Sequence, residues 1–138
     1  MAHQNLDMLL DYQLQFAKNQ LQKYSSFYPY AALMKEDEKM EALRIYEGDE
    51  HPKPLELIEK FNSLLRSSAK LETSIACSLC KDVKISKNGI DKKDAIQVDL
   101  EHRNGESLSV FLPYAIQNDK SVIYGNVFSQ IKEKEWFD

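Results

Sequence analysis

Glu101 and His102 stand side by side, a carboxylate and an imidazole of the kind that act as general acid and base. The thiol best placed to act as nucleophile with them is Cys77. One strand register sets it across from His102, the neighbouring register sets Leu79 there, and the sequence does not choose between them. Glu106 meets His102 across a turn, so His102, Cys77 and Glu106 define a candidate pocket. Adjacent strand residues point to opposite faces, so Glu101 and His102 do not bond each other directly. A histidine at a hairpin end is more often structural than catalytic.

Cys77-x-x-Cys80 has the spacing of a redox motif or half a zinc site. It lies, however, in TSIACSLCKDVKIS, where Ile75, Cys77, Leu79, Val83 and Ile85 alternate as a strand. Strand positions three apart face opposite ways and sit ~10 Å apart along the chain. They can neither bridge nor share a metal, and no second C-x-x-C or H-x-x-x-H completes a zinc site. Both are therefore expected as free thiols, one buried and one on the other face, as suits a reducing cytoplasm. Glu47, Asp49, Glu50 and His51 form an acidic cluster too short for a calcium loop and read as solvated. Asp82, Asp99 and Glu101 are expected together on an outer sheet face, where carboxylates can do acid–base or metal work but are also ordinary, with Lys84 to neutralise them. There is no P-loop, G-x-G-x-x-G or G-x-S-x-G. No catalytic residue, metal ligand or cofactor is assigned.

The element that must position these groups is the hairpin from Asp94 to Tyr114. Ile96, Val98 and Leu100 alternate with Gln97, Asp99 and Glu101, the period-two pattern of a strand with one buried face. Leu108, Val110 and Leu112 form the second apolar row. A two-residue Asn-Gly turn would set these rows on opposite faces. A three-residue loop, Arg103–Gly105, instead pairs His102 with Glu106, Leu100 with Leu108, Val98 with Val110 and Ile96 with Leu112. Gly105 then takes the left-handed position. Pro113 cannot donate to a ladder, so the second strand ends there or lies beside an edge. The outer face carries Gln97, Asp99, Glu101, Ser107 and Ser109, which water satisfies, and Phe111, which it does not. Phe111, Gln97, Asp99, Glu101 and Ser109 are the expected contact surface, with Trp136 or Phe137 from the tail as the other possible cover for Phe111.

Elsewhere, Leu6, Leu9, Leu10, Leu14, Ala17, Leu21 and Tyr24 predict a helix from Asn5 to about Tyr24, capped by Asn5 or Asp7, with Gln4, Gln13, Gln15, Gln20 and Gln22 on its solvated face. Phe27–Lys35 and Met40–Tyr46 predict two strands around a charged turn. Pro54–Lys70 predicts a second helix, with proline at its first position and Leu57, Ile58, Phe61, Leu64 and Leu65 as its apolar stripe. A long strand follows from Thr73 to about Lys87, and Val122–Tyr124 is a last short strand before a polar tail. The expected fold is one α+β domain spanning residues 1–138, in the order α-β-β-α-β-β-β-(β), with a single antiparallel sheet of five to six strands. Such a sheet is ~25 Å wide and a helix ~10 Å across, which places both helices on one face.

With 138 residues, 43% hydrophobic and 29% charged, the chain has the composition of an ordinary globular protein. It is long enough to fold without a metal or disulfide. No apolar run reaches the ~20 residues of a membrane span, and the N-terminus lacks a secretory signal pattern. A net charge of −4 argues against nucleic acid as a partner. A cytoplasmic location is expected.

Phe27, Pro29 and Ala31, then Ala95, Ile96, Val98, Leu100, Glu101, His102 and Gly105, then Leu112, Pro113, Tyr114 and Gly125, resemble the F-x-P-[FY]-A, A-[IV]-x-V-x-[LI]-E-H and L-P-Y motifs of a family of small uncharacterised bacterial proteins. The resemblance covers most of the chain after the first helix and brings no activity with it. Glu36-Asp37-Glu38 departs from it, where relatives show a glycine turn. The element order is also similar to roadblock and profilin-like domains, which implies a protein-binding or dimerising module by analogy of topology. The expected function is a non-enzymatic cytoplasmic module, immunity-like in one version, that binds a protein partner or pairs with itself. The alternative is a small enzyme or ligand sensor with its pocket near His102.

Overall fold

The computed structural model describes residues 2–44, 53–86 and 92–137. The chain runs α1 (Ala2–Tyr24), β1 (Tyr30–Met34), β2 (Met40–Ala42), α2 (Pro54–Lys70), β3 (Ala76–Ser86), β4 (Lys92–His102), β5 (Ser107–Ile116), β6 (Val122–Tyr124) and β7 (Phe128–Ile131). The Glu47–His51 cluster, the expected strand end at Tyr46 and residues 87–91 lie outside the described residues. The fold is α+β; the described residues form two helices and one antiparallel sheet of seven strands in the order β2-β1-β3-β4-β5-β6, β7 also pairing with β5. The strand that no sequence pattern announces is β7, which lies in the polar tail.

β4 and β5 pair in the register that the apolar rows require: Ile96 with Leu112, Val98 with Val110, Leu100 with Leu108. The His102 N–H donates to the Glu106 carbonyl at 2.9 Å and closes a three-residue loop in which Gly105 has φ +110°. β5 does not end at Pro113 but runs on to Ile116. The proline sits where the neighbouring strand changes from β7, paired with residues 108–111, to β6, paired with residues 114–116. A missing donor costs nothing at such a break.

The two helices do not share a face. α1 packs Leu6, Leu9, Ala17 and Leu21 against Ala32, Met34, Cys80, Ile96, Val98 and Leu100. α2 packs Leu57, Phe61 and Leu65 against Ala31, Leu33, Cys77 and Leu79, together with Trp136 and Phe137. The reason lies in the sheet centre. Residues 31–34 of β1 and 76–80 of β3 are buried on both faces, so each face must be covered. Width alone cannot decide this, because a tail can cover part of a face as well as a helix can.

α1 begins at Ala2, so Asn5 lies inside the helix rather than capping it. Gln13 is not on the solvated face. It is wholly buried, and its Nε2 donates to Ser78 Oγ at 2.8 Å and to the Tyr30 carbonyl at 3.1 Å. α2 starts with Pro54 after an extended Lys53, and the chain leaves it through Glu72 at φ +57°.

Candidate functional site

Paired strand residues share a face, so the ladder sorts the α2 face into rows. The first is Leu33–Cys77–Glu101–Ser107 and the second Ala31–Leu79–Asp99–Ser109–Gln130. The third is Lys81–Gln97–Phe111–Phe128 and the fourth Val83–Ala95–Pro113. The first two rows hold the buried carboxylates, and the last two are more open.

Glu101 is wholly buried, and the tail after β7 closes over it. Oε1 accepts the backbone N–H groups of Trp136 at 3.0 Å and Phe137 at 3.1 Å. Oε2 accepts the Glu135 N–H at 2.7 Å and the Lys132 ammonium at 2.5 Å. Trp136 Nε1 donates to Asn62 Oδ1 of α2 at 2.9 Å, and Lys132 Nζ lies 4.7 Å from the Trp136 ring centre. Three successive amides and one ammonium meet one carboxylate, which compensates a charge that could not otherwise be buried. Asp99 is held as fully. Oδ1 accepts Ser109 Oγ at 2.6 Å and Gln97 Nε2 at 2.8 Å, and Oδ2 pairs with Lys81 at 2.8 Å. Of the expected contact surface, Asp99, Glu101 and Ser109 are thus interior, while Gln97 and Phe111 remain half-buried. The polar character of the interior three marks not exposure but buried partners: tail amides for Glu101, and the side chains of Lys81, Gln97 and Ser109 for Asp99.

His102, Cys77 and Glu106 are not brought together as a pocket. His102 lies opposite Ala76 on the α1 face, and Cys77 lies opposite Glu101 on the α2 face. The imidazole is buried and held on both nitrogens. Nδ1 accepts the Asn104 N–H at 3.1 Å, so the neutral ring donates from Nε2 to Asn5 Oδ1 at 3.1 Å. Asn5 in turn donates to Glu38 at 3.1 Å. Burial lowers the His102 pKa below its ordinary value. Glu106 meets His102 through its backbone, and its side chain is exposed.

Both thiols are free and both are buried, on opposite faces; burial pushes Cys77 up to about 12 and raises Cys80 as well. Neither carries thiolate character at neutral pH. Asp82 does not share a face with Asp99 and Glu101. It pairs with Ile96 on the α1 face and accepts the Tyr114 hydroxyl at 2.6 Å, its pKa raised by partial burial. Among the described residues, no group of three or more His, Cys, Asp or Glu side chains is placed to hold a metal ion. No described helix is long and apolar enough to cross a membrane.

Where α2 and the tail stop, the same face opens into a groove of about 900 Å³. Phe111, Pro113 and Phe128 line it, with Ile85, Val127 and Lys93 around them. Phe111 and Phe128 stack with ring centres 5.0 Å apart. Trp136 and Phe137 are deep in the α2 cluster, so Phe128, not they, covers Phe111. Gly125 leaves room for Pro113 here, since a Cβ on it would sit 3.3 Å from the proline ring. Phe128 is 37% exposed and Val127 57%. No alternating apolar pattern marks residues 125–131, so only the pairing of Phe128 with Phe111 reveals the groove.

No family model, curated protein or solved structure matches this chain.

Proposed function

We propose that this protein is a non-catalytic protein-binding module and that the open groove on the α2 face is its contact surface. The observation that carries this reading is the Phe111–Phe128 pair with Val127 beside it, a contiguous apolar patch on a face whose other half is sealed. Patches of this kind mark contacts more often than isolated apolar residues do. The groups with chemical potential support the same reading, because each is already consumed: Glu101 by the tail, Asp99 by Lys81 and Ser109, His102 by Asn5 and Asn104. A sensor or enzyme pocket at His102 finds no support in a ring engaged at both nitrogens. The unpaired thiols favour a reducing compartment, and the motif resemblance favours the bacterial cytoplasm; an immunity-like role is one form this module takes.

The test is site-specific photo-crosslinking in native extract. A benzophenone side chain at Val127 should give a discrete adduct that Phe111→Ser abolishes, while the same group at Leu55, 76% exposed on α2, gives none. Identical adduct patterns from both positions, or adducts indifferent to Phe111→Ser, would remove the groove from consideration.

A further inference from the structure

β7 is the outermost strand on its side of the sheet, and its backbone directions can be read from its neighbours. Lys132 N–H donates to the Ser107 carbonyl, and residues 128 and 130 share that direction along a strand. The N–H and C=O groups of Ser129 and Ile131 therefore point away from β5, and among the described residues no strand lies beyond them. Such an edge templates another strand unless it is blunted. The opposite edge is blunted, because β2 has only three residues and carries the Lys35–Glu41 ion pair across to the adjoining turn. β7 has no proline and no charge within it, and Ile131 is 94% exposed. Ile116, Ile123, Val127 and Phe128 add further exposed apolar surface at this side.

The geometry points to a second copy of this chain as the occupant, joined through antiparallel β7–β7 pairing about a twofold axis at Gln130. That axis, normal to the sheet, sets Ser129 opposite Ile131 of the other copy, and Ile131 opposite its Ser129. Both pairs are of the hydrogen-bonded kind, giving four N–H···O=C bonds, and both helical layers stay on their own sides. Shifting the axis to Ser129 loses one of the two outward residues from pairing with its counterpart. Charge does not oppose a second copy: β7 carries no charged residue, and the Lys132 that follows it is already paired with Glu101. A strand of four residues with its flanks buries on the order of 1,000 Å² across two copies, in the range of weak, reversible association.

Sedimentation equilibrium from low micromolar to several hundred micromolar tests this. The expected result is a shift from 16.0 kDa toward twice that mass as concentration rises. Ser129→Pro removes an outward N–H and no bond to β5, and Ile131→Lys places a charge on the edge; each should raise the association midpoint at least tenfold with unchanged circular dichroism. Hydrogen exchange supplies a readout free of substitution, since the amides of Ser129 and Ile131 should gain protection with concentration. Wild-type protein monomeric throughout the range, association unaffected by both substitutions, or no concentration-dependent protection would each overturn the proposal. The groove residues are untouched by either substitution, so the two readings fail separately.

Discussion

Replacing Glu101 by glutamine keeps its shape and removes its charge. The amide oxygen can still accept Trp136 and Phe137, but the amide nitrogen then faces the Glu135 N–H and the Lys132 ammonium, donor against donor. Two charge-assisted hydrogen bonds are lost, at ~1.5–3 kcal/mol each. The protein can relieve the clash by releasing its tail, which caps the cost near the burial energy of Trp136 and Phe137, ~1.5–3 kcal/mol each. Both routes give about 3–6 kcal/mol, or a fall in Tm of about 10–25 °C for a chain of this size. The assay is built in, because Trp136 is the one tryptophan and is buried. Its emission should shift to the red in Glu101→Gln at temperatures where far-UV circular dichroism is still native. Lys132→Met keeps the three amide bonds but strips a buried carboxylate of its counter-charge, and should cost a comparable amount. A Glu101→Gln protein with unchanged emission and a Tm within about 2 °C of wild type would refute the clasp as a source of stability.

Denatured protein should titrate two thiols with Ellman's reagent, and native protein at pH 8 should react far more slowly, since burial raises the pKa of both. Gly105→Val should lose about 1–2 kcal/mol in urea unfolding; a Cβ there meets Lys134 Nζ at an ordinary 3.5 Å, so the cost is that of positive φ and not of a clash. Burial holds His102 below its ordinary 6.5, so the unfolded chain takes up the proton first as pH falls. Its contribution is complete above about 6.5 and is lost toward the lower, folded pKa, and His102→Gln should flatten the stability profile between pH 7.5 and 5.

The hairpin and α2 are legible in the sequence because each is a local pattern: alternating rows select one register, and Pro54 with a wide apolar stripe marks one helix. What escapes is long-range. Glu101 reads as solvent-facing by alternation, and nothing near it in the chain announces that Lys132 and residues 135–137 will return 31 to 36 positions later to bind it. Gln13 escapes for a related reason. Its spacing of four from both Leu9 and Ala17 places it on the buried stripe, while its amide argues for water. Position prevails over residue type because Ser78, 65 residues away, offers the amide a buried partner. The placement of the helices has a usable signal in ACSLC, where small or apolar residues occupy both faces of one strand.

The clasp also imposes an order on synthesis. Glu101 and Phe137 are 36 residues apart, an interval of about 2–7 s at ordinary translation speeds of about 5–20 residues per second. At its start only strands β1 to β4 have been made, and the carboxylate of Glu101 lies on the face that α2 covers without the amides that compensate it. α2 has emerged by then but has no sealed surface to settle on. Until residues 135–137 have left the ribosome, the nascent chain can hold the central strands but not the three amides that compensate Glu101.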